Sequence, residues 1–168
     1  MRCGTGWDIH QLVPDRPLII GGVIIPHTLG ESGHSDGDVL IHAIIDALLG
    51  ALALGDIGTH FPPSDAQWKD VKSTNLLKAT LNMLNGWEIV NIDSTVILQQ
   101  PKLAAHIEAI RRTLADICNL SIDRISVKAK TAEQLLGEVG NGTAIIAQAA
   151  VLLSAVGSDD YEDLNQWV

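Results

Sequence analysis

Asp8 and His10 stand two apart in an apolar stretch, and His42 and Asp46 stand four apart within DVLIHAIIDALLGALAL. That second stretch is apolar almost all the way round, as in a buried helix, where an imidazole or carboxylate costs several kcal/mol unless it finds a partner. A divalent metal would be such a partner. Asp-x-His on a strand puts both side chains on one face, and residues four apart share a helix face. Asp8, His10 and His42 then form a three-ligand set with an open position, the pattern of a catalytic zinc, and Asp46 becomes the carboxylate that orients His42. The same donors accept manganese or iron. Spacing alone leaves a second reading open, in which these are separately satisfied core or surface groups and Asp46 bonds to backbone.

Other candidates lie in loops. His34 and Ser35 in GHSDGD sit among small residues whose exposed backbone donors would suit a phosphate, or form an ordinary turn. Asp56, between glycines, has free carboxylate oxygens for ligand hydroxyls or for a helix-end turn. Thr131 and Glu133 follow a strand that ends in Lys128 and Lys130; a carboxylate there suits magnesium held jointly with substrate phosphates, and a solvated strand end is the alternative. Lys102, after QQP, would approach a phosphate or reach solvent. No GxxxxGK[ST] loop occurs, and GTG at residues 4–6 lacks the later glycine of a dinucleotide fingerprint. His34, Ser35 and Asp36 are too close in one loop for a nucleophile relay. His27, His60 and His106 read as surface or turn histidines.

These residues need elements to hold them. Residues 2–12 read as an opening strand, and LIIGGVIIP as two short strands joined at Gly21 and Gly22 in a primed hairpin turn. Asp36 or Asp38 would cap the buried helix, which runs to about Leu54. GDIGTHFPPSD is too rich in Gly and Pro for helix. Ser73 would cap a helix through NLLKATLNMLNG ending at Gly86, and WEIVNIDSTVILQQ alternates as a strand stopped by Pro101. Leu103, Ile107, Ile110, Leu114 and Ile117 keep helical spacing, before the strands RISVKAKT and TAIIAQAAVLLSAV. The expected fold is α+β with the interleaving of an α/β protein, one mixed sheet of four to five strands with helices on one face in a ferredoxin-like arrangement. The other sheet face, to which Val96 and the Ala and Val of the last strand are assigned, would need a partner, with self-association of sheets as the candidate.

The 168 residues suit one domain, residues 1–156, followed by an acidic tail over 157–168. Single Phe61 and Tyr161 and four scattered tryptophans leave the core to Leu, Ile, Val and Ala. A formal charge of -9 argues against a nucleic-acid surface or anionic membranes, while a phosphorylated ligand remains open if neutralised locally. Cys3 and Cys118 have neither disulfide nor zinc-knot spacing, no signal peptide or membrane span is visible, and a cytoplasmic setting is expected. The sequons at Asn119 and Asn141 then have no consequence.

GTGWDIH, GGVIIP, GHSDGDVLIHAIIDALLGALALGDIGTHFP, QQPK and VKAKTAE, in this order, closely resemble the 2-C-methyl-D-erythritol 2,4-cyclodiphosphate synthase family. The resemblance implies a homotrimer with sheets facing the three-fold axis and active sites between subunits. It implies conversion of 4-diphosphocytidyl-2-C-methyl-D-erythritol 2-phosphate to the cyclic diphosphate with release of CMP, a phosphorus–oxygen lyase step of the non-mevalonate isoprenoid route. By motif, Asp8, His10 and His42 hold zinc, with Ile9 between them against substrate, and Glu133 helps place magnesium or manganese. His34 and Thr131 match the transition-state stabilisers. Ser35, Asp56, Ile57, Gly58, Phe61, Pro62, Pro63, Ser64 and Asp65 match the part that holds the methylerythritol phosphate. Leu98, Gln99, Gln100, Pro101, Lys102, Leu103 and Ala104, with Lys130, Thr131 and Ala132, match the cytidine pocket, where Lys102 meets the diphosphate.

Two departures matter. QLLGEVGNGTA carries an extra residue, and Glu138 and Asn141 stand where many members have an aromatic and an arginine, so an isoprenoid diphosphate on the trimer axis should bind weakly. Lys130 and Ala132 replace residues that are often Thr. A zinc-dependent phosphohydrolase and a non-catalytic trimeric binder of cytidine nucleotides are the competing functions; a linear product would mark the first and absent turnover the second.

Overall fold

The computed structural model describes residues 1–33, 35–68 and 70–157. His34 and most of the acidic tail therefore lie outside the described residues. A five-stranded mixed sheet has the order β4 (Leu29–Glu31), β1 (Arg2–Pro14), β7 (Ala144–Ala155), β5 (Trp87–Ile97), β6 (Ile125–Lys130). Only the β5–β6 pair is parallel. β2 (Leu18–Ile20) and β3 (Val23–Ile25) form the expected separate hairpin, with Gly21 and Gly22 at φ +59° and +79° in its turn. β4 is a strand that the sequence pattern does not predict. Three residues beside a Gly-rich loop carry no alternation, and their strand exists because long β1 offers an edge.

Helix α1 (Val39–Ala51) is buried nearly throughout and lies across β1 and β7. Asp38, rather than Asp36, is its cap: Asp38 Oδ1 accepts from Ile41 N, and its two oxygens also accept from Gly21 N and Gly22 N, fastening the hairpin to the helix. Two glycines let α1 approach so closely. A Cβ on Gly4 would lie 2.0 Å from Ala47 O, and one on Gly6 2.0 Å from Ala43 O. The GTG that fails as a nucleotide fingerprint is thus a packing device, and it brings His42 down beside the strand that carries Asp8 and His10.

The Gly/Pro-rich stretch after α1 does form a helix turn, α2 (Ile57–His60). Asp56 accepts from Thr59 N and Oγ1, and Asp46 accepts from Ile57 N, so two carboxylates cap what composition alone disfavours. α3 spans Ser73–Leu81 and stops five residues before Gly86. Its first N–H is taken not by Ser73 but by Asp36 Oδ1 from the loop before α1, which releases the Ser73 hydroxyl for another contact. α4 (Ile107–Cys118) packs on β6 and ends at Asn119 in left-handed conformation.

Val96 faces the helices rather than the open sheet face. It is fully buried opposite Ala147, with Ala149 and Val151 on the same inner side. Strand bulging at Ile89/Asn91 sets that register. The open face instead carries rows such as Ile9, Ile146 and Ile97, and Trp7, Gln148 and Thr95. Trp7 and Ile9 are 55% and 43% exposed, so an apolar surface is left uncovered by this chain. No helix among the described residues is long and apolar enough to cross a membrane.

Candidate active site

Asp8, His10 and His42 converge at the inner face of β1 under α1. One donor atom from each lies within 4.8 Å of the others. Asp8 Oδ2 is 3.0 Å from His10 Nε2 and 3.1 Å from His42 Nδ1, while Asp8 Oδ1 accepts from Ile9 N. The two imidazoles meet edge to face at 5.1 Å.

Their other nitrogens decide what the inner ones present. His10 Nδ1 lies 2.6 Å from Gly37 O, which can only accept, so the ring proton sits on Nδ1. His42 Nε2 lies 3.0 Å from Ser73 Oγ, whose own proton goes to Asp36 Oδ1, so Nε2 donates. Ser35 Oγ is 3.1 Å from the same nitrogen. With the outer nitrogens donating, the inner nitrogen of each ring faces a carboxylate oxygen: three groups able to accept face one point, where a cation would satisfy them. This donor set fits a divalent metal with nitrogen and oxygen preference.

In the metal-free chain a proton takes that place. Burial works against charge on His10, but its bonds to Asp8 and Glu31 outweigh it and raise the imidazole to about 10. Burial likewise opposes ionisation of Asp8, and the bonds from His10 and His42 reverse this and hold its carboxyl well below the usual range. Glu31 is raised above an ordinary carboxylate by burial, with His10 acting the other way.

Asp46 does not orient His42. Its Oδ1 accepts from Ile57 N at 2.7 Å, and burial raises its carboxyl above the usual value. A helix face shared at i and i+4 did not ensure contact, because α2 offered an unpaired N–H nearer the carboxylate. The groups that do orient the imidazoles are Gly37 O and Glu31 for His10, and Ser35 and Ser73 for His42. Sequence pattern does not reveal Glu31, Gly37 and Ser73 in this role. They approach from β4, a loop and α3, and no spacing rule links them to His10 or His42.

A cavity of about 260 Å³ opens over these three side chains, walled by Ser35, Ile57, Gly58, Phe61, Pro63, Trp68 and Leu76. Phe61 and Trp68 meet edge to face at 5.0 Å. Of the expected substrate residues, Asp56 faces its own helix turn, and Pro62, Ser64, Asp65 and the exposed Ile9 do not line this cavity. A second cavity of about 450 Å³ gathers Leu98, Pro101, Lys102, Leu103, Ala104, Lys130, Thr131 and Glu133. Thr131 Oγ1 donates to Glu133 Oε1. Gln99 and Gln100 turn to a neighbouring depression with His27 and Asn141, and Ala132 is buried against Val139 and Ala144. Glu138 is exposed. β1 and β6 are separated by two strands, so the two cavities lie roughly 14 Å apart across the sheet.

The sequence model of the YgbB family matches residues 1–154. The chain belongs to the YgbB family. Within this family it is 55% identical over 155 residues, covering 91% of this chain and 94% of the relative, to 2-C-methyl-D-erythritol 2,4-cyclodiphosphate synthase of Gloeobacter violaceus. Identity is also 55% over 158 residues to the synthase of Paraburkholderia phymatum, covering 93% of this chain and 99% of the relative. A solved structure of such a synthase in its CDP-bound form superposes with a TM-score of 0.84 at 37% identity, covering 91% of this chain and all of that one. Of the motifs that suggested the resemblance, all but GGVIIP contribute residues to the walls of the two cavities.

Proposed function

We infer that this chain is a 2-C-methyl-D-erythritol 2,4-cyclodiphosphate synthase, a cyclising, CMP-releasing phosphorus–oxygen lyase of the non-mevalonate isoprenoid route. The observation that carries the reading is the convergence of three lone pairs, from Asp8, His10 and His42, at the floor of a cavity. Those residues hold zinc, and Glu133 helps place magnesium or manganese against the substrate diphosphate. When bound, the metals withdraw charge from phosphoryl oxygens and fix their orientation.

In the reaction an oxygen of the 2-phosphate attacks the β-phosphorus as the bond to CMP breaks. Such a step needs alignment and neutralisation of crowded negative charge more than it needs a nucleophile from the protein. Ser35, Asp56, Ile57, Gly58 and residues 61–65 hold the methylerythritol phosphate end. Residues 98–104 and 130–132 hold the cytidine, with Lys102 on the diphosphate. Thr131 and His34 steady the charge that develops on the transferring phosphoryl group.

The two halves of this site lie in separate cavities of one chain. We read the apolar open sheet face, with Ile9, Ile97 and Ile146, as the surface that joins three chains about an axis, so that one subunit's metal cavity meets its neighbour's cytidine cavity. Residues 1–156 act as one domain, ferredoxin-like in its layering of helices on one sheet face, with 157–168 as an acidic tail and the cytoplasm as its setting. Glu138 and Asn141 offer no fork of donors, so isoprenoid diphosphates bind the axis weakly. The assay is CMP release from metal-loaded protein with the product followed by phosphorus NMR. A cyclic diphosphate is expected; a linear phosphate product would instead make the chain a hydrolase, and no CMP at all would leave it a nucleotide binder.

A further inference from the structure

Glu31, like Asp38, is fully enclosed at 0% exposure, and it stands on an edge strand where a glutamate ordinarily faces water. Its Oε2 lies 3.0 Å from His10 Nδ1 and 2.9 Å from Val39 N. One oxygen thus touches a ligand on β1 and the first residue of α1, the helix that carries His42. Its other oxygen, Oε1, is buried without a hydrogen-bond partner among the described residues. A half-satisfied buried carboxylate lowers stability, and an apolar side chain of the same size would serve the fold better. Arg16 does not neutralise it: that guanidinium bonds to the carbonyl oxygens of Glu31 and Ser35, which steadies the loop and leaves the carboxylate to His10.

We propose that Glu31 is a positioning residue for the metal: it locks the His10 ring with Nε2 toward Asp8, strengthens that nitrogen as a ligand, and sets β1 in register with α1. Gly37 O alone would orient the ring, since it accepts from the same Nδ1. In its ionised form Glu31 adds negative charge behind the imidazole, the arrangement by which outer groups raise ligand basicity. The unpartnered oxygen is then a cost accepted for metal affinity. This proposal rests on the metal reading of Asp8, His10 and His42.

The test measures zinc affinity of the full chain by competition with a chromophoric chelator, together with the visible absorption of the cobalt-loaded protein. Wild type, Glu31→Leu, Glu31→Gln and Leu114→Ala are compared. Leu114 is buried on α4, away from the ligands, and its truncation reports the effect of lost stability alone. Glu31→Leu should weaken zinc binding about 10- to 100-fold and alter the cobalt bands. Glu31→Gln, which keeps an acceptor but loses the charge, should fall between it and wild type, and Leu114→Ala should lower the melting temperature with no change in affinity. Wild-type affinity and an unaltered cobalt spectrum in the Glu31 variants overturn the proposal, as does an equal affinity loss in Leu114→Ala. If Glu31→Leu does not fold, the Gln variant decides by the same criteria. A wild-type chain that binds neither metal removes the metal reading itself, which is a separate outcome.

Discussion

Among the three proposed metal ligands, His42 is the one whose loss is easiest to interpret. It leaves a small, partly polar gap on a helix that is apolar apart from Asp46, and His42→Ala should keep the fold while removing one of three donors. Several kcal/mol of charge stabilisation is at stake, so CMP release should fall about 10³-fold with zinc affinity lowered in parallel. Near-normal CMP release from His42→Ala would remove the metal from the reaction. His10 makes binding depend on pH in a definite direction. In the metal-free chain its pKa is raised from 6.5 to about 10, so over that whole range zinc must displace a proton. Apparent affinity should therefore rise with pH from about 6.5 toward 10, with close to one proton released per metal in calorimetry across buffers. The same sign makes the apo chain gain stability from His10 below pH 6.5 and lose it as pH climbs through 10. A flat affinity profile would mean that His10 is not displaced.

Two positions govern how the elements meet. Gly6 lets the backbone of α1 rest on β1, and a methyl group there would strike Ala43 O at 2.0 Å. Backbone on both sides cannot yield as a side chain would. Gly6→Ala should cost about 3 kcal/mol in denaturant unfolding and, by lifting His42 from Asp8, weaken zinc binding as well. Asp38 serves three N–H groups, those of Gly21, Gly22 and Ile41. Asp38→Ala leaves all three unpaired, those of Gly21 and Ile41 in buried positions, for a loss of roughly 2–5 kcal/mol. Burial pushes the Asp38 carboxyl up to about 6, with the Gly22, Ile41 and Gly21 amides opposing it. A raised acid binds its proton more tightly folded than unfolded, so this group's contribution declines as pH rises from about 4 to 6 and is constant above. Asp38→Asn should flatten that slope in urea titrations; an unchanged slope would assign it to another acid.

At the scale of the whole molecule, the sheet has one face under helices and one apolar face open. Trp7 and Ile9 are exposed on that face beside the half-buried Ile97, an apolar surface that a second copy of the chain would cover. Trimer formation should be visible by light scattering during size exclusion. Ile146→Glu, at the centre of the open face and opposite Ile9 and Ile97, should yield monomers that keep zinc affinity but lose CMP release, if a neighbour contributes the cytidine half of the site as proposed. Monomers that retain full turnover would place the complete site within one chain.

Much was legible in the chain itself. Asp8, His10 and His42 could be singled out because polar groups in apolar runs stand out at the spacings that strands and helices impose, and the hairpin could be placed because paired glycines mark its turn. These are local signals, written within a dozen residues. Tertiary structure alone decided that Asp46 caps α2, that Asp36 frees Ser73 for His42, that Gly4 and Gly6 serve packing, and that Val96 faces inward. Each of these depends on which distant group arrives nearest, and a carboxylate bonds to whichever donor lies within about 3 Å, however far away it stands in the chain. Glu31 belongs to the same class, because nothing near it in the sequence indicates His10, and only the pairing of a three-residue edge strand brings them together.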